Sequence, residues 1–241
     1  MTLKRYIPNL LTLGNLFCGT LATIFAVQGD FASAGLFVVI GIVFDFLDGF
    51  AARLLNVSGE LGKQLDSLAD MVTSGVVPGI IVYQLFIENN SNVVAPNTVN
   101  YLPFLGLFLT LGAGYRLAKF NIDTRQTDSF IGMPTPAMSL FVISLPLIQE
   151  YSTIEFVQNL IANNYFLIVI TLLLTYLMNA EISLFSLKFK TYSVKNNLMK
   201  YLFLVLSTGM LVFLQYLSIP LIILLYVFLS LIRNIRKKTT S

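Results

Sequence analysis

Long apolar runs separated by short polar breaks set the pattern of this chain. Eight runs can be drawn, at roughly 7–27, 32–53, 67–87, 101–120, 136–150, 159–178, 201–216 and 219–233. Each is judged against the ~20 residues that a helix needs to cross a bilayer core. The pattern predicts an all-α fold: a polytopic membrane helix bundle of about eight transmembrane helices, forming a single domain over 1–241. The last three runs are apolar nearly all round, so they are expected to face lipid or a partner subunit. The first run continues into the body of the protein, so no cleavable signal peptide is expected.

Charge gives these runs an orientation. The 15 Lys and Arg residues fall in alternate breaks. They are Lys4 and Arg5; Arg53 and Lys63; Arg116, Lys119 and Arg125; Lys188, Lys190, Lys195 and Lys200; and Arg233, Arg236, Lys237 and Lys238. The intervening breaks at 28–31, 88–100, 151–158 and 217–218 hold none. Basic residues concentrate on the cytoplasmic side of membrane proteins. Both termini are therefore expected there, in a multi-pass protein of the cell membrane. Composition agrees: 56% of residues are hydrophobic and 11% charged, against about 25% charged in a soluble domain. The net charge of +3 says little beyond its placement. The bilayer is the expected partner, with no nucleic acid. A single cysteine, Cys18, excludes an internal disulfide.

One stretch breaks the apolar pattern with chemistry. Asp45 and Asp48 are spaced i, i+3, and Asp66 and Asp70 are spaced i, i+4. Either spacing puts two side chains on one helix face. Between them lies LLNVSGEL, with Asn56, Ser58 and Gly59. The pattern predicts two antiparallel helices aiming four carboxylates at a shared point, on the cytoplasmic side. Such a cluster requires cations, and all-oxygen ligation suits Mg2+ or Mn2+. Four aspartates suffice for two ions, as in many phosphoryl-transfer sites. Gly49, Ala52 and Gly62 share the same faces and leave room for something bulky. Arg53, one turn past Gly49, is placed to pair with a phosphate.

These residues, with every spacing kept, match the pattern D-x2-D-G-x2-A-R-x8-G-x3-D-x3-D. The chain thereby resembles the CDP-alcohol phosphatidyltransferases. The resemblance implies an integral membrane enzyme that moves a phosphatidyl group from a CDP-linked lipid to an alcohol and releases CMP. It implies Asp45, Asp48, Asp66 and Asp70 as metal ligands, with Asp70 taking the acceptor's proton. It also carries a homodimer as a family expectation.

Two further stretches point to a branch of that family. On the first helix, Pro8-Asn9, Thr12 and Asn15 form P-N-x2-T-x2-N, which is familiar from the phosphatidylserine synthase branch. Asn9, Thr12 and Asn15 either bond neighbouring helices or, as the resemblance favours, contact the nucleotide head group of the CDP-lipid beside Gly49, Arg53 and Gly62. Farther on, Arg116 begins R-x3-F-N, followed by F-x-G-x-P-x-P-A over 130–137. This resembles the same branch, and so does the F-S-L-K-F-K segment at 185–190. The expected substrates are CDP-diacylglycerol and L-serine. Arg116, Lys119 and Arg125 are the candidates for the acceptor's carboxylate, and Gly132 with Pro134 and Pro136 makes a stiff turn that could line a small pocket. For Lys119, topology alone is an equal explanation. The chain has no histidine, which removes every His-dependent route, including the covalent chemistry of phospholipase-D-like serine synthases. The nearest rival is the same reaction with glycerol 3-phosphate or inositol phosphate. A rival from another class is a divalent-cation transporter, disfavoured because the four acids sit at one membrane face.

Overall fold

The computed structural model describes residues 4, 6–57, 59–90, 100–123, 130–184 and 194–239. Arg125, the segment 185–190 and most of the break at 88–100 lie outside the described residues. The fold is helical almost throughout. In order come α1 (Tyr6–Val27), α2 (Phe31–Leu54), α3 (Glu60–Asp70), a π-helical turn (Met71–Val76) and α4 (Val77–Asn90). A 3-10 turn (Leu102–Leu107) leads into α5 (Phe108–Ile122), followed by α6 (Thr135–Tyr151), α7 (Glu155–Ile161) and α8 (Asn164–Asn179). The last elements are α9 (Val194–Leu214) and α10 (Ser218–Thr239).

Local chemistry explains the breaks. Asp30 caps α2 by accepting from the Ser33 N–H at 3.0 Å. Asn56 ends the turn after α2 at φ 51°, a conformation Asn tolerates better than most residues. The sixth apolar run, read as one helix, divides into α7 and α8, bent by 72°. The Asn163 side chain accepts from the Tyr165 and Phe166 N–H groups and so starts a new helix there. After α9 the chain reverses at Gln215 (φ 46°), and Phe203 of α9 meets Tyr226 of α10 with ring centroids 5.7 Å apart.

The all-α expectation is modified by one small antiparallel ladder. β1 (Phe130–Ile131) pairs with β2 (Ser183–Leu184). It is pinned by Gly132 N–H to Ile182 O and Met133 N–H to Leu177 O, both 2.9 Å. Gly132 stands at φ 76°, and a Cβ there would strike Met178 O. The turn at 130–136 is therefore clamped to the end of α8.

The core lies among α1, α2, α4, α5, α6 and α8, around Ala22, Val38, Ile81, Leu85, Phe86, Leu109, Met138 and Leu174. Among the described residues four helical stretches are long and apolar enough to cross a membrane: Tyr6–Val27, Phe31–Leu54, Glu60–Asn90 and Asn197–Asn234, the last holding both arms of the α9–α10 hairpin. The bent α7–α8 pair makes a fifth if its halves form one span. Every predicted run coincides with a helical segment. The stretches number fewer than eight because α6 has 17 residues, α5 has 15 beyond its 3-10 turn, and the last two runs share one stretch.

Candidate functional site

The site is built where α2 turns back into α3. Asp45 and Asp48 come from the last turns of α2, and Asp66 and Asp70 from α3. One carboxylate oxygen from each of Asp45, Asp48 and Asp66 lies within 4.8 Å of the others. Of the four carboxylates that the spacing aimed at one point, these three converge, while Asp70 stands outside the group and is bonded by Asn15 of α1. The oxygens are close enough to converge on one small ion and are all hard donors, so they fit Mg2+ or Mn2+.

The first helix fixes these carboxylates. The Thr12 hydroxyl donates to Asp48 Oδ2 at 2.5 Å, and Asp48 is buried. Asn15 Nδ2 donates to Asp70 Oδ1 at 3.2 Å. The Thr73 hydroxyl donates back to Asn15 Oδ1 at 2.8 Å. Thr73, Asn15 and Asp70 therefore form a relay in which each group sets the next one's orientation. Thr12 and Asn15 do bond neighbouring helices, and what they bond are the site carboxylates. Asn9 lies at the same end of α1, its Oδ1 3.4 Å from where a Cβ on Gly62 would stand.

Thr73 reaches Asn15 from the π-helical turn that follows Asp70. This turn, Met71–Val76, lies just ahead of Pro78. Pro78 has no N–H to offer the carbonyl four residues back, so the helix widens there. Ser74, in the same turn, has a buried hydroxyl without a partner among the described residues.

Two glycines missed by the sequence reading let these helices approach. A Cβ on Gly41 would lie 2.9 Å from both Asn15 Oδ1 and Thr73 Cγ2. A Cβ on Gly19 would lie 2.9 Å from the Thr73 backbone nitrogen. The signal was present: Gly41 is Asp45 minus four, and Gly19 is Asn15 plus four. Gly49 differs. Among the described residues the one atom within 4 Å of its missing Cβ is Arg53 Nη1 at 3.9 Å, so its space is open rather than filled by them. Arg53 itself is exposed at the end of α2.

The acceptor candidates separate. Arg116 is buried on α5, within electrostatic reach of Asp70, with its guanidinium 5.9 Å from the Phe120 ring centroid. Its Nε has no partner among the described residues. Lys119 is more exposed and pairs with Glu181 at 3.5 Å. Residues 115–122, read partly as loop, are the last two turns of α5. They dock on α3 through Lys63 Nζ to Asn121 O at 2.5 Å and Asn121 Nδ2 to Ser67 Oγ at 2.8 Å.

Comparison with known proteins gives concordant results. A family model described as CDP-alcohol phosphatidyltransferase matches residues 5–178. A CDP-diacylglycerol–serine O-phosphatidyltransferase of Bacillus subtilis is 37% identical over 145 residues, covering 58% of this chain and 75% of that protein. The enzyme of the same name from Helicobacter pylori is 37% identical over 145 residues, covering 59% of this chain and 58% of that protein. An archaetidylserine synthase of Methanothermobacter thermautotrophicus is 30% identical over 152 residues, covering 62% of this chain and 61% of that protein. The chain thus spans about three-fifths of the length of these last two relatives.

Proposed function

From the premise that this chain belongs to the CDP-alcohol phosphatidyltransferase family and is a membrane protein, we propose that it transfers the phosphatidyl group of CDP-diacylglycerol to the hydroxyl of L-serine. The products are phosphatidylserine and CMP. The convergence of the Asp45, Asp48 and Asp66 oxygens within 4.8 Å carries the reaction class. The serine assignment is supported by the names of the relatives and by the buried cation Arg116 beside Asp70.

Asp45, Asp48, Asp66 and Asp70 would hold two divalent ions, Mg2+ or Mn2+. When bound, they supply positive charge opposite the pyrophosphate oxygens. Thr12 keeps Asp48 in its ligating orientation, and Asn15 does the same for Asp70. Asp70 accepts the proton of the serine hydroxyl as its oxygen bonds to the phosphatidyl phosphorus. The bond from that phosphorus to the bridging oxygen breaks, and CMP leaves with the electron pair. An in-line displacement needs acceptor and leaving group on opposite sides of phosphorus. The open face at Gly49, Gly62, Arg53 and Asn9 suits the CDP-lipid. Arg116 lies on the α5 side of Asp70, which suits the acceptor carboxylate. Lys119 and Arg125 are the reserve candidates for that contact.

In the membrane we place both termini and this site on the cytoplasmic face, with eight crossings, supported by the alternation of basic breaks. The exposed apolar residues of α9 and α10 suit lipid or, in a homodimer, a second copy. CMP release from CDP-diacylglycerol, measured with a panel of alcohols, tests the function. L-serine should support it with a divalent ion present and fail after chelation. Release with glycerol 3-phosphate or inositol phosphate and not with serine would leave the reaction class and remove the acceptor.

A further inference from the structure

Arg116 shares its crevice with a second buried polar atom, Asn179 Oδ1, that has no partner among the described residues. The crevice is lined by Arg116, Lys119 and Phe120 of α5 with Asp123 just past it, by Ile131, and by Met178, Asn179 and Ala180 at the end of α8. Asn179 Nδ2 donates to Gly112 O at 3.1 Å and to Thr175 O at 3.0 Å. Two carbonyls in front of that nitrogen fix which way the amide points, since the reverse orientation would set oxygen against oxygen. Asn179 Oδ1 is therefore a committed acceptor. It is buried and receives no hydrogen bond among the described residues.

Gly112 is one helical turn before Arg116, so this amide lies beside the base of the arginine side chain. The approach is close because position 112 has no side chain: a Cβ there would lie 2.8 Å from Thr175 Cγ2. Arg116, with its buried donor Nε, and Asn179, with its buried acceptor Oδ1, thus both line one crevice of about 10 Å³. That is room for one group about the size of a water or an ammonium. Buried polar atoms left unpaired are costly, and such pairs mark places where a ligand supplies the missing bonds.

We propose that Asn179 binds the ammonium group of the acceptor while Arg116 binds its carboxylate, so that the end of α8 selects an amino-acid alcohol over other hydroxyl compounds. The proposal rests on the serine reading above. Asn179 lies one residue beyond the stretch matched by the family model. The matching chemistry is direct: an α-amino acid carries its cation and anion on one carbon, so the ammonium, which the crevice has room for, can meet Asn179 while the carboxylate stays on the Arg116 guanidinium.

The test compares L-serine with 3-hydroxypropanoate, which keeps the hydroxyl and carboxylate and lacks the ammonium. The second compound is measured as an acceptor or, where turnover is too slow, as a competitive inhibitor against L-serine. Wild-type enzyme should favour L-serine by about tenfold or more, the effect of one charged hydrogen bond. Asn179→Leu should lose about tenfold with L-serine, change less than twofold with 3-hydroxypropanoate, and leave the CDP-diacylglycerol KM within twofold. Asn179→Ala removes the same oxygen without adding bulk and serves where the leucine variant does not fold. Equal loss with both compounds would mean that Asn179 only braces α8 against α5, and would overturn the proposal. Equal use of the two compounds by the wild type would overturn it without any variant. Absence of CMP release from the wild type with L-serine defeats the serine reading itself, which is visible before a variant is made, and the proposal falls with it.

Discussion

Gly49 allows ligand effects and packing effects to be separated in one substitution. Gly49→Ala adds a methyl group whose nearest neighbour is Arg53 Nη1 at 3.9 Å, an ordinary contact that causes no strain. The position lies inside α2, where alanine is favoured over glycine by about 0.8–1.0 kcal/mol. Stability should therefore rise, and the midpoint of thermal unfolding with it, by roughly 2–4 °C for a chain of this size. Activity should move the other way. If the CDP-lipid occupies the open space, the methyl overpacks the complex by about 1–3 kcal/mol. That is a loss of roughly five- to 150-fold in kcat/KM for CDP-diacylglycerol. The assay is CMP release in mixed micelles, paired with thermal unfolding in the same detergent. A variant that is more stable and fully active would refute the idea that the space is for substrate. The control is Gly41→Ala, two turns earlier on the same face. Its Cβ would come within 2.9 Å of Asn15 Oδ1 and Thr73 Cγ2. Overpacking offsets the gain in helix propensity, so stability should fall by about 0–2 kcal/mol. Activity should fall as well, because Asn15 can no longer hold Asp70 at 3.2 Å.

Other substitutions address the remaining parts of the site. Asp66→Ala should abolish turnover and weaken metal-dependent nucleotide binding; an active purified variant would end the reading of Asp66 as a ligand. Arg116→Lys should raise the L-serine KM by roughly tenfold or more while moving that of CDP-diacylglycerol far less. The reverse outcome would make Arg116 a phosphate ligand. Single cysteines introduced at positions 154 and 4 into a Cys18→Ala background should be labelled from outside intact cells only at 154. Labelling at 4 would invert the topology.

Much of this site was legible because its chemistry is local. The i, i+3 and i, i+4 spacing of the aspartates is a property of one helix each, and the break at Asn56 and Gly59 returns the chain on itself. Placement of Thr12 and Asn15 depended on contacts across 36 and 55 residues of sequence. Their polar character in an apolar run marked them, but which carboxylate each would meet was not readable. The glycines at 19 and 41 were passed over because a missing side chain carries no chemistry of its own. They matter only once a second helix is known to cross there. Asn179 was invisible for a related reason. Its meaning comes from Gly112 and Arg116 on another helix, and at a helix end an asparagine looks like an ordinary stop. The division of the sixth run into α7 and α8 was missed because Asn163-Asn164 interrupts hydrophobicity by only two residues. There, capping outweighs apolar continuity.

The widened turn at Met71–Val76 has a consequence for how the rod from Glu60 to Asn90 is phased. An unbroken α-helix locks every residue to a fixed 100° step, so the angle at which Asp66 and Asp70 point would also dictate the angle of Ile81, Leu85 and Phe86. The π-turn inserts a phase shift between the two halves. The N-terminal half can aim its acids at α2 while the other half buries Ile81, Val82, Leu85 and Phe86 in the core. Deleting one residue between 71 and 76 would remove that freedom. The acids would stay in register with α2, and the apolar face of Val77–Asn90 would swing by about 100° toward lipid.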